Sequence, residues 1–369
     1  MKVLTVVGNR PQFVKAAAVS PLLRRHATEV LVHTGQHYDR ELSAVFFEEL
    51  ELPPPERQLA VGSGSHAVQT GTTLIDLEQV VAEERPDAVL VYGDTNATVA
   101  GALVAAKAAL PLAHVEAGMR SFNRAMPEEV NRLVVDRVAG LHLCPTEAAV
   151  ANLRAIGLGE GARLVGDPMA DVALRVGPLA EQRSQVLERL GLTRGDYLLA
   201  TAHRAGNVDE LRRLARLATL LRRAAVERGP LVFVVHPRTE ARLRAADLLS
   251  ELRACPDLRL CQPLGYLDFT CLVRGARAVL TDSGGLQKEA YLAGAPCLTL
   301  REETEWVETV ESGWNRLVGL DPAHTLDELA TLESRRQHER PDPALYGSGE
   351  AGQRCVRELL AWAGAGSTS

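Results

Sequence analysis

The chain predicts an α/β fold built on two doubly wound parallel sheets, and three observations carry that prediction. Short β-branched runs alternate with longer amphipathic stretches from end to end, the pattern of parallel strands covered by helices. The runs fall into two series on either side of Gly166–Leu190. The length of 369 residues suits two domains of about 150 residues each.

In the first series the expected strands are Val3–Val7, Val30–Val32, Ala88–Tyr92, Leu112–Val115, Leu141–Leu143 and Leu164–Val165. Helices are expected at Gln12–Arg25, through the Ala-rich stretch Asn96–Ala109, and at Glu129–Val138. The second series has strands at Tyr197–Thr201, Leu231–Val235, Leu258–Leu260, Ala278–Thr281 and Cys297–Leu300, with helices at Asp209–Glu227 and Leu286–Ala293. The domain boundaries follow as 1–168 and 169–352, with a last helix at 353–363 returning to the first domain.

Composition narrows the function. The chain is 46% apolar and 24% charged, with a net charge of −6 and no long basic run. That argues against nucleic acid or an anionic membrane as partner. The apolar stretch Val99–His114 is interrupted by Lys107 and Pro111, so it is not a membrane span. The six cysteines form no C-x-x-C pair and sit mostly in apolar contexts, which points to core thiols in a reducing cytoplasm. No His or Cys spacing supports a metal site.

Three acids stand where ligands meet parallel sheets. Asp94 follows Ala88–Tyr92, Glu116 follows Leu112–Val115, and Glu128 follows Pro127 at a helix start. Open α/β sheets bind ligands beyond the carboxyl ends of their strands. Carboxylates gathered there repel one another and are kept mainly where a proton or a cation is handled. Arg120 and Arg132 are candidate ion-pair partners, and Asn131-Arg132 would orient the acids. Glu129 reads as helix surface.

Two turns read as anion sites. Gly8-Asn9-Arg10-Pro11 leaves the first strand with Lys15 about one helical turn further on, and Thr281-Asp282-Ser283-Gly284-Gly285 leaves a later strand to open a helix. Small residues at a helix start expose backbone N–H groups suited to a phosphate. Glu289, about a turn along, is placed to accept hydrogen bonds from a ribose diol; Lys288 reads as solvated. His203 and His236 end two strands of the second series and suit a ligand better than a core, and His33 and His37 fall in a comparable segment of the first.

These residues lie in an ordered set: GNRPQFVK, HTGQHYD, VYGDTNAT, HVEAGMRS, MPEEVNR, AHRAGN, VHP, LTDSGGLQKEA and REETEWVE. Together they resemble the non-hydrolysing UDP-N-acetylglucosamine 2-epimerase family over nearly the whole chain. The resemblance implies a GT-B fold, two Rossmann-like domains with a cleft between them. It implies catalytic positions at Asp94, Glu116, Glu128 and His203. Arg10, Lys15 and His236 would contact substrate and phosphate, and Ser283, Gly284 and Gly285 the diphosphate. Glu289 would hold the ribose and Phe269 the uracil, with Arg301 bordering the nucleotide. Gln36 and His37 match part of an allosteric UDP-GlcNAc site. The implied reaction inverts C2 by eliminating UDP to leave 2-acetamidoglucal, then re-adding it, in a cytoplasmic homodimer with no cofactor and no metal. Which acid performs which step is open at this stage.

The chain departs from the family pattern at Asn9 and Gln12, at Gly166-Asp167-Pro168, at Gly206, and at Thr304-Glu305-Trp306-Val307-Glu308. HTGQHYD, RPQF and TEWVE resemble the branch acting on UDP-2,3-diacetamido-2,3-dideoxyglucuronic acid, a second candidate substrate. A GT-B glycosyltransferase fits less well, because the acids and His203 would crowd an acceptor. A silent nucleotide-sugar binder would have no use for Asp94, Glu116 and Glu128.

Overall fold

The computed structural model describes residues 1–35, 45, 47–342 and 344–366. The chain divides into two compact units, one of Met1–Leu174 with Pro343–Ser369, the other of Arg175–Asp342. The helix Pro168–Arg183 runs across the division.

The first unit carries a seven-stranded parallel sheet in the order β3-β2-β1-β4-β5-β6-β7. Its strands are β1 (Lys2–Val7), β2 (Thr28–His33), β3 (Arg57–Gln58), β4 (Ala88–Tyr92), β5 (Leu112–Val115), β6 (Leu141–Cys144) and β7 (Ala162–Leu164). Every residue of β4, β5 and β6 is buried, which is why they read as mainly apolar runs rather than alternating ones, with His114 in β5 and His142 in β6 as the polar exceptions. Strand order reverses direction between β1 and β4, paired in the register Val6 to Val91.

The second unit has a six-stranded parallel sheet ordered β10-β9-β8-β11-β12-β13. These are β8 (Leu198–Thr201), β9 (Leu231–Val234), β10 (Leu258–Cys261), β11 (Ala278–Thr281), β12 (Cys297–Thr299) and β13 (Asn315–Leu317). Successive residues feed opposite faces. Leu198, Ala200, Phe233 and Leu280 belong to one core, while Leu199, Val232, Val234 and Val279 belong to the other. The reversal lies between β8 and β11, where Thr201 pairs with Thr281 and their hydroxyls meet at 2.7 Å.

The fold class is thus the expected one, α/β with two Rossmann-like units. Two strands escaped the sequence reading. β3 is a two-residue edge with no apolar run, and β13 reads as Asn-Arg-Leu. The last helix, expected over 353–363, spans Ala351–Gly366. It packs so closely on the helix Arg10–Leu23 that a methyl group on Gly352 would collide with the Ala18 carbonyl. All six cysteines are buried and unlinked; burial pushes the Cys144 and Cys297 thiols up to about 12. Among the described residues no helix is long and apolar enough to cross a membrane.

Candidate functional site

In each unit most of the singled-out residues follow the carboxyl ends of strands near the point where the sheet order reverses, the position at which open α/β sheets take ligands; Phe269 lies instead on the helix Tyr266–Gly275, after the edge strand β10.

In the first unit the acids come paired with cations. Asp94 follows β4, and its Oδ2 accepts from Arg132 Nε at 2.9 Å. Asn131 Nδ2 donates to the Asp94 carbonyl at 2.8 Å. Both partners lie on the helix Pro127–Val138, so one helix face orients the turn. Glu116 follows β5 and forms a buried ion pair with Lys15. Lys15 stands on the helix Arg10–Leu23, so residues far apart in the chain meet at the β1/β4 reversal. Glu116 has φ +67°, a left-handed conformation uncommon for a residue with a Cβ and typical of functional sites. Gly93, at φ +61°, leaves room for the pair: a Cβ there would lie 3.1 Å from Lys15 Nζ and 3.2 Å from Glu116 Oε2.

Glu128 lies half-buried in the first turn of the helix Pro127–Val138, where the helix dipole favours a carboxylate. Its neighbour corrects an expectation. Glu129 is not helix surface but 2% exposed. Its carboxylate accepts from Ser121 N at 2.9 Å, Phe122 N at 3.3 Å and Arg132 Nη1 at 3.1 Å. It therefore ties the loop after Glu116 to the guanidinium that holds Asp94.

Beneath this layer lies a buried polar group that sequence reasoning missed. His114 Nε2 meets the Gly93 carbonyl at 2.7 Å, and Nδ1 meets Asp136 Oδ1 at 2.7 Å. Arg120 Nη1 lies 2.6 Å from Asp136 Oδ2. Burial pushes the Asp136 carboxyl up, but the His114 hydrogen bond and the His114 and Arg120 charges outweigh it and hold it below its ordinary 3.8. His114 gave no signal in sequence because it sits inside the apolar run of β5.

Gln12, a departure from the family pattern, has a physical reason. Its amide oxygen accepts from Gly8 N at 2.6 Å, and its nitrogen donates to the Tyr92 carbonyl at 2.6 Å and to the Thr95 and Thr98 hydroxyls. An ionised glutamate could fill only the accepting half. Asn9 caps the same helix, its side chain accepting from Gln12 N, and Arg10 opens it, half-buried. His33 is 3% exposed and packs edge-on against Phe13 at 5.0 Å. Gln36 and His37 lie outside the described residues.

The second unit presents backbone and small side chains instead. Ser283 precedes the helix Gly284–Leu292 without a side-chain cap bond, and Gly284 and Gly285 form its first turn. Glu289 is half-buried on that helix. The turn is fixed from below by Asp282, fully buried, a residue whose role sequence reasoning missed. Its carboxylate accepts from His203 N at 3.0 Å, Arg204 N at 3.0 Å and Asn207 Nδ2 at 3.1 Å, so the His203 turn and the Ser283 turn are built as one piece. A buried acid directly after β11 was the available signal.

His203 and His236 lie with ring centroids 5.8 Å apart, and His236 caps the next helix, its Nδ1 accepting from Arg238 N at 3.2 Å. Arg301 is 8% exposed and pairs with Glu305 at 3.0 Å. Phe269 is half-buried against the core of this unit. Lys288 is a second correction: it is fully buried, its ammonium 4.0 Å from the centroid of the Trp306 ring, a cation–π contact. Among the described residues no group of three or more His, Cys, Asp or Glu is arranged to hold a metal ion.

Comparison with known proteins agrees along the chain. The family model described as UDP-N-acetylglucosamine 2-epimerase matches residues 22–360. A UDP-N-acetylglucosamine 2-epimerase homolog from Methanococcus maripaludis is 46% identical over 332 residues, 89% of this chain and 92% of that protein. A UDP-2,3-diacetamido-2,3-dideoxy-D-glucuronate 2-epimerase from Pseudomonas aeruginosa is 42% identical over 367 residues, 98% of this chain and 99% of that protein. The crystal structure of the Methanocaldococcus jannaschii UDP-GlcNAc 2-epimerase in complex with UDP-GlcNAc and UDP superposes with a TM-score of 0.91 at 39% identity, covering 98% of this chain and all of that one.

Proposed function

The chain belongs to the UDP-N-acetylglucosamine 2-epimerase family, and from that premise we propose that it inverts C2 of UDP-N-acetylglucosamine, giving UDP-N-acetylmannosamine, by eliminating and re-adding UDP. The observation that carries this reading is the set of acids at the ends of β4 and β5, each fixed by its own cation: Asp94 by Arg132, and Glu116 by Lys15. Such pairing orients each carboxylate, and proton transfer to or from carbon requires a positioned group.

In this proposal the first unit does the proton chemistry. One carboxylate among Asp94, Glu116 and Glu128 takes the C2 proton as the C1–O bond to UDP breaks, leaving 2-acetamidoglucal. A second acid returns a proton to the opposite face, and UDP rejoins C1. The second unit holds the nucleotide: Ser283, Gly284 and Gly285 bind the diphosphate through backbone N–H groups, and Glu289 accepts from the ribose. Arg10, His236 and Arg301 add positive or hydrogen-bonding groups, Phe269 contacts the uracil, and His203 stands beside the departing diphosphate. Donors aimed at the leaving group stabilise the charge it develops. The product fits the supply of amino sugars for surface polysaccharides.

The similarity to the Pseudomonas aeruginosa relative favours a second reading, the same chemistry on the 2,3-diacetamido uronate. One experiment serves both: incubation in D₂O with each UDP-sugar, following deuterium at C2 and the epimer by NMR. Exchange with UDP-GlcNAc is expected. Exchange with the uronate alone transfers the assignment to the second substrate, and exchange with neither overturns the epimerase reading.

A further inference from the structure

The diphosphate turn of the second unit already holds an anion. Glu305 is 6% exposed, and its Oε1 lies so close over Gly284 that a side chain on that glycine would collide with it. The helix Gly284–Leu292 starts without a side-chain cap from Ser283, and first-turn N–H groups attract a carboxylate. The same carboxylate pairs with Arg301 at 3.0 Å and lies 3.9 Å from Arg204 Nη2. Its aim is fixed on both sides. Thr304 donates to Gln287 at 2.6 Å, and Trp306 is held under Lys288.

A helix N-terminus and guanidinium groups are the partners a phosphate group would take. Two anions sharing them repel. We propose that Glu305 is an internal stand-in for the diphosphate: it occupies the turn beside Arg301 and is displaced when the nucleotide binds. Binding of a nucleoside diphosphate is then an exchange of anions, coupled to movement of residues 302–306 and weakened by the carboxylate it displaces. This rests on the nucleotide reading given above.

The test is a calorimetric titration of the full-length chain with UDP, for the wild type, Glu305→Gln and Glu305→Ala. Both variants should bind UDP roughly fivefold more tightly, the size of one partly screened charge contact, while the empty variants melt at a lower temperature. A merely structural Glu305 would lower the melting temperature and weaken UDP binding together. UDP affinity unchanged or weakened in folded variants overturns the inference. A second measurement needs no variant. In the wild type, UDP should slow amide hydrogen exchange at residues 283–286 and speed it at residues 302–306; protection of both segments overturns the inference. No UDP binding by the wild type overturns the nucleotide reading, and this inference with it.

Discussion

The two sheet reversals occupy equivalent places in two similar units, yet they are furnished differently. At β1/β4 the groups are charged side chains tied in pairs: Lys15 with Glu116, and Arg132 with Asp94 and Glu129. At β8/β11 the helix start is built of small residues, Ser283, Gly284 and Gly285, with the buried acid Asp282 holding two turns together from below. Paired carboxylates handle protons; a glycine-rich helix start handles phosphate. On the function proposed above, the same topology would serve proton chemistry in one unit and nucleotide recognition in the other, with the residue types at the strand ends deciding which.

The sharpest way to break this contrast is Asp94→Asn. It should slow C2 exchange by roughly 10²–10⁴-fold, the usual worth of a proton-transfer group, with UDP affinity by calorimetry staying within about twofold. Loss of UDP binding would mean that Asp94 supports the nucleotide site and is not confined to proton transfer. Asp282→Asn attacks the other unit. Removing a buried carboxylate that gathers backbone and amide donors should cost about 2–3 kcal/mol in urea denaturation and weaken UDP binding. A stable variant would show that the two turns stand independently.

Glu289→Gln should weaken UDP by roughly tenfold, about 1.4 kcal/mol, and the loss should shrink for 2′-deoxy-UDP. An equal loss for both nucleotides removes Glu289 from the ribose. The smallest effect concerns pH. The Asp136 carboxyl is depressed in the folded chain, so its stabilising contribution is fully present above the ordinary value of 3.8 and is lost as pH falls through the folded value. The urea midpoint should therefore drop as pH falls from about 4 to about 2 more steeply in the wild type than in Asp136→Asn. Parallel slopes would place the acid sensitivity elsewhere.

The same contrast explains what could be read from sequence. Buried central strands announce themselves as apolar runs, and the residues following them (Asp94, Glu116, His203, Ser283) were legible because a charged or small residue directly after such a run has few structural uses. What lay beneath was not legible. Glu129 and Lys288 look like surface residues among polar neighbours, and only the approach of the Arg120–Met126 loop and of Trp306 buries them. The burial of His33 was not legible either, because Phe13, which packs on it, is twenty residues away in the chain. His114 and Asp136 are distant in the chain and meet only across a strand and a helix.

The helix Ala351–Gly366 has a consequence for biosynthesis. Gly352 and Cys355 pack into the first unit, and Asp171 binds the N–H groups of Ala351 and Gly352 at 3.1 and 2.8 Å. A ribosome delivers the helix Arg10–Leu23 early and its cover last, an interval on the order of tens of seconds at ordinary elongation rates. When β13, the last strand of the second unit, has been made, the first unit still lacks the helix Ala351–Gly366. The first unit, begun earlier, is therefore completed later, and the helix Arg10–Leu23 lacks its packing partner until then.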